Sequence, residues 1–136
     1  MSKSPNRLLG VVFGAFYLVI GALGFFVGTG GSFFATSGGK VLGLFEVNTL
    51  HNVAHLVIGV VLLLGGLIGA RAAKGINTTV GAVYLVLGIA GLFLVNTSAN
   101  ILAINAADNV LHFGSAVVLL AVGLGADKRL RSTATA

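Results

Sequence analysis

Residues 8–27 read LLGVVFGAFYLVIGALGFFV, twenty residues without a charged side chain. An α-helix of that length rises about 1.5 Å per residue and so covers the roughly 30 Å hydrocarbon core of a bilayer. Working outward, three more runs of this kind follow, over residues 47–70 (with a polar start), 76–95 and 107–126. They are continuous apolar runs, not short alternating ones, which favours helices over barrel strands. Glycine recurs inside them, at Gly14, Gly21, Gly24, Gly59, Gly65, Gly66, Gly81, Gly88, Gly91 and Gly123. Lipid tolerates this, because small residues let helices approach closely. The pattern predicts an all-α membrane protein: four transmembrane helices in a bundle, forming a single domain over residues 1–136 with short tails.

Composition agrees. The chain is 57% hydrophobic and 8% charged, with a mean hydropathy of +1.06, whereas soluble domains are about 25% charged. The absence of Cys excludes disulfides, thiol chemistry and thiolate metal sites. The net charge of +5 invites a nucleic-acid reading, but seven of the eight basic residues fall into three clusters beside apolar runs. Lys3 and Arg7 precede span one, Arg71 and Lys74 form the expected turn between spans two and three, and Lys128, Arg129 and Arg131 follow span four. These clusters lie on one side of a four-span chain and only Lys40 on the other, so both termini are expected in the cytoplasm. The expected partner is the lipid bilayer and not nucleic acid. A signal peptide is rejected for span one, since the run is too long and has no small-x-small cleavage site.

The chain also repeats itself. Gly14-Ala15-Phe16-Tyr17-Leu18-Val19-Ile20-Gly21 matches Gly81-Ala82-Val83-Tyr84-Leu85-Val86-Leu87-Gly88, and Gly24 pairs with Gly91. Asn48-x-x-His51-Asn52-Val53-x-His55 matches Asn105-x-x-Asp108-Asn109-Val110-x-His112. Repeat one covers residues 8–70 and repeat two 76–126. Each holds two spans, so the two helical hairpins run parallel. The expected arrangement has a pseudo-two-fold axis along the membrane normal.

Asn48, His51, Asn52 and His55 stand at i, i+3, i+4 and i+7, on one helical face, and so do Asn105, Asp108, Asn109 and His112. His55 lies about 24 Å above Arg71 by helical rise, and His112 the same distance above Lys128, so both sit just inside the outer boundary. Polar side chains at that depth are costly unless they face the bundle interior. Both faces are therefore expected to point at the axis.

With Leu44-Phe45-Glu46-Val47 before the first copy, these paired motifs resemble the bacterial membrane-protein family called domain of unknown function 4383. The resemblance runs from Leu8 to Leu124. It implies a four-helix protein of the bacterial cytoplasmic membrane, and implies no activity.

Three functional readings follow from the residues. In the first, the cluster is structural: Asn52 and Asn109 hydrogen-bond to His112 and His55 across the bundle, and the protein is a non-enzymatic structural or accessory subunit with no cofactor. In the second, it is a ligand site. His51 and His55 at i and i+4, with Asp108 and His112 on the partner helix, supply three imidazoles and a carboxylate for zinc or a related ion; alternatively His55 and His112 are the axial ligands of a haem. In the third, the protein moves protons or a small solute as an oligomer, because the inner halves of the spans read as apolar and offer no path within one chain. No nucleophile is paired with a base, so an enzyme is not expected. The Gly28–Ser32 stretch precedes no strand-to-helix unit and reads as flexible linker, not as a phosphate loop. Phe33, Phe34, Leu42, Leu44 and Phe45 make the first external loop apolar enough to enter the interface and to bring Glu46 toward the cluster. The stripes of Gly14, Gly21 and Gly24 and of Gly81, Gly88 and Gly91 are expected against spans two and four, or else against a homo-oligomer or larger membrane complex.

Overall fold

The computed structural model describes residues 4–128. Of the basic residues that fix the expected topology, Lys3, Arg129 and Arg131 lie outside the described residues. Four helices, α1 (Pro5–Gly24), α2 (Thr49–Ile68), α3 (Ala70–Leu94) and α4 (Ala106–Gly125), are each long and apolar enough to cross a membrane. A short antiparallel ribbon, β1 (Gly39–Val41) and β2 (Phe45–Val47), stands between α1 and α2, with Lys40 opposite Glu46.

Local chemistry sets the helix ends. Helix α1 starts before the apolar pattern does, because the Ser4 side chain accepts the Arg7 N–H and Pro5 occupies the first turn. Asn48 caps α2 and Asn105 caps α4 in the same way, accepting from the backbone N–H of His51 and Asp108. The expected turn at Arg71 and Lys74 is corrected. The break is Gly69 alone, in extended conformation, and both basic residues ride the first turns of α3. The segment from Ala70 to Gly75 is rich in Ala, Arg and Lys, all strong helix formers, so the helix runs through the polar stretch.

Helix α1 packs chiefly on α2 and α3 chiefly on α4, while α2 and α4 touch least. The glycine stripes lie inside these pairs. A methyl group at Gly14 would come within 2.5 Å of the Leu63 backbone nitrogen, and one at Gly88 within 2.9 Å of the Phe113 ring. Their neighbours are thus α2 and α4, as expected. Tyr17, Leu62, Val80, Tyr84, Ala116 and Leu119 form the core.

Burial runs opposite to that of a soluble bundle. Among the described residues, twelve polar or charged side chains are buried, as many as hydrophobic ones, while Val86, Phe93, Val110 and Ile68 stand 65–76% exposed. Apolar outside and polar inside is the distribution lipid demands. The molecule is a multi-pass membrane protein.

The first external connection is held at several points by hydrogen bonds. The N–H of Gly39 bonds the Gly28 carbonyl at 2.6 Å, and Leu42 and Gly43 turn the ribbon with positive φ. Asn48 Nδ2 donates to the carbonyls of Ala35 and Ile101, each at 2.6 Å, and Asn105 Nδ2 donates to that of Leu44 at 2.8 Å. The two connections at this end are therefore tied to each other. Val41, Val47, Ala103 and Ile104 are buried beneath them. Leu42 and Leu44 point outward, 71% and 58% exposed, as an interfacial loop requires.

Candidate metal centre

Under this roof three imidazoles meet. Helix α2 presents His51 and His55 one turn apart, with ring centroids 4.4 Å from each other. Helix α4 brings His112 to 6.0 Å from His51, centroid to centroid. Each of the three is 2% exposed. One ligand nitrogen from each lies within 4.8 Å of the other two. A tetrahedral zinc ion about 2.0–2.1 Å from each nitrogen would set them roughly 3.3 Å apart, so modest side-chain rotation closes the site.

The nitrogens are short of partners. Nδ1 of His51, both nitrogens of His55 and Nδ1 of His112 are buried and make no hydrogen bond. Buried polar atoms are normally paired, and an orphan costs about 1–3 kcal/mol. Three imidazoles that converge while four of their six nitrogens lack a partner suit a divalent cation.

Aromatic rings form the floor. Tyr17 and Tyr84 stack at 5.2 Å, with Tyr17 at 5.3 Å from the His55 ring and Tyr84 at 5.4 Å from the His112 ring. The Tyr17 hydroxyl shares a 2.5 Å hydrogen bond with Ser115. These rings fill the space between the helices in mutual contact.

The remaining residues of the two motifs have other tasks. Asp108 is the third residue of a capping box: its Oδ2 accepts the Asn105 N–H at 2.9 Å. It stands outside the group of converging ligand atoms. Asn48 and Asn105 are caps and tethers. Asn52 and Asn109 do not reach the histidines. Their amides press on the bare Cα of Gly24 and Gly91, where a methyl group would collide with them. Neither Nδ2 nor Oδ1 of Asn52 makes a hydrogen bond, nor does Asn109 Oδ1. Glu46 turns to its own loop and accepts the Gly38 N–H at 3.0 Å.

A second polar knot holds the opposite end of the bundle and went unread in the sequence. Asn77 is fully buried and donates to the backbone and side-chain oxygens of Asn6, both at 3.0 Å. Asn6 in turn donates to Asp127 Oδ2 at 2.8 Å, as does the Ser4 hydroxyl. The inner halves of the spans are thus not wholly apolar. Leu62, Val80 and Leu119 still separate this knot from the tyrosines. The only sequence signal was a lone Asn within span three.

The family model described as "Domain of unknown function (DUF4383)" matches residues 7–125. The chain belongs to that family. No curated protein and no solved structure matches it. Family membership agrees with the four-span architecture and attaches no chemistry to the histidines.

Proposed function

We propose that this member of the family is a metal-binding protein of the bacterial cytoplasmic membrane, with a zinc-like divalent ion held by His51, His55 and His112. One observation carries the reading: three buried imidazoles from two helices converge within 4.8 Å while four of their nitrogens lack a partner. Three protein ligands leave a fourth position open, as at sites that exchange a ligand or hand the ion on. The role proposed is an accessory one. The structural-latch reading is weaker, because the Asn–His bonds it calls for are replaced by Asn–Gly contacts.

The same reading treats the bundle as two copies of one hairpin about a pseudo-two-fold axis. Its support is recurrence: Gly24 under Asn52 and Gly91 under Asn109, Tyr17 on His55 and Tyr84 on His112. The copies diverge at His51 and Asp108, and that divergence gives α2 two ligands and α4 one. Arg7, Arg71, Lys74 and Lys128 stand at the end where α1 begins and α4 finishes; on the positive-inside preference the reading takes that end as cytoplasmic and the metal as near the outer face.

Elemental analysis of tag-free protein, stripped with chelator and then dialysed against zinc, tests the proposal. One equivalent per chain is expected in the wild type and well under half an equivalent in His55→Ala and His112→Ala. Equal zinc in all three proteins would contradict it.

A further inference from the structure

At the terminal end of the bundle, away from the histidines, a cavity of about 600 Å³ opens between the start of α3 and the end of α4. Arg71, Lys74 and Lys128 line it, with Thr78, Gly123 and Leu124. The acid nearest to these cations is Asp127, whose carboxylate accepts from the cap residue Ser4 and from Asn6 and also feels the Lys74 charge, so three cations face one acid. The chain's other two acids, Glu46 and Asp108, belong to the opposite end. The cavity is therefore a concentrated positive site, and its natural ligand is an anion.

What kind of anion follows from the next feature along α3. A second cavity of about 530 Å³, lined by Thr78, Thr79, Ala82, Val83, Val86 and Leu87, shares Thr78 with the first. Its lining is apolar apart from the two threonines, and it leads toward the bundle's middle, where Val86 is 65% exposed. Cations thus sit at the helix ends, at headgroup depth, and an apolar groove runs inward from them at acyl-chain depth. A free phosphate would use the first space and leave the groove bare. We infer that the α3–α4 face binds one anionic phospholipid, its phosphate among Arg71, Lys74 and Lys128 and an acyl chain along Val83 and Val86.

Native mass spectrometry of the detergent-purified protein, offered phosphatidylglycerol and phosphatidylcholine in equal amounts, provides the test. One phosphatidylglycerol should be retained in preference. The double variant Arg71→Gln/Lys128→Gln should bind it about 30-fold less tightly, at about 1 kcal/mol for each charge. Lys74 is left in place because its Nζ also holds the Ala126 carbonyl at 2.6 Å. An unchanged melting temperature in phosphatidylcholine shows that the variant is folded. Equal retention of both lipids, or undiminished binding by the double variant, would overturn the assignment. So would inorganic phosphate that displaces the lipid at millimolar concentration, which would mark a soluble-anion site.

Discussion

At His55 neither imidazole nitrogen has a partner although the side chain is 2% exposed. In the absence of metal such a residue weakens the fold, because it has lost its hydration and gained no bond. His55→Leu should therefore leave the melting temperature of chelator-treated protein unchanged or raise it, while abolishing the rise that zinc produces in the wild type. A structural latch requires the opposite, a loss of stability with or without zinc. Gly24 and Gly91 face a different constraint. Gly24→Ala forces a methyl group into the Asn52 amide, and overpacking of this kind costs about 1–3 kcal/mol, measurable as a lower unfolding midpoint. Asp127 answers to pH. Partial burial pushes its carboxyl up, but hydrogen bonds from Asn6 and Ser4 and the Lys74 charge outweigh this and hold it below the ordinary 3.8. A depressed value stabilises the fold above pH 3.8 and the effect fades as pH falls through the folded value. Asp127→Ala should thus lower the melting temperature at pH 7 and match the wild type at strongly acid pH.

The elements show what periodicity can and cannot reveal. Apolar length placed all four helices, because in lipid a span must satisfy its backbone internally and cover about 30 Å. Their ends depended on single residues: Ser4 with Pro5 extends α1, and Gly69 alone divides α2 from α3. The face bearing Asn48, His51, Asn52 and His55 was legible from its spacing. The division of labour along it was not, since the spacing is the same for a cap, a packing amide and a ligand. Asn48 and Asn105 are caps because each precedes the first helical turn and its side-chain oxygen accepts the N–H three residues on. The ribbon was illegible because it has three residues per strand and depends on tethers from distant positions. Asn48→Ala removes both a cap and the tether to Ile101, so it should destabilise the protein by about 1–2 kcal/mol. Faster amide exchange in the Gly39–Val47 ribbon should accompany that loss.

The whole molecule joins a polar interior to an apolar exterior, with a polar site at each end. The histidine trio lies under the tied loops, the Asn6–Asn77–Asp127 knot lies at the termini, and Leu62, Val80 and Leu119 separate them. That apolar layer favours a closed site over a path through one chain. Cysteine-accessibility labelling in intact cells should find a residue placed at Leu44 reactive from outside and one at Gly69 protected, as cytoplasmic termini require. X-ray absorption at the zinc edge of the tag-free, zinc-dialysed protein reads the proposed ligand set itself. Three imidazole nitrogens about 2.0–2.1 Å from the ion plus one further light ligand are expected, with the zinc signal itself much reduced in His112→Ala. A spectrum without imidazole scattering, or one unchanged by His112→Ala, would contradict it.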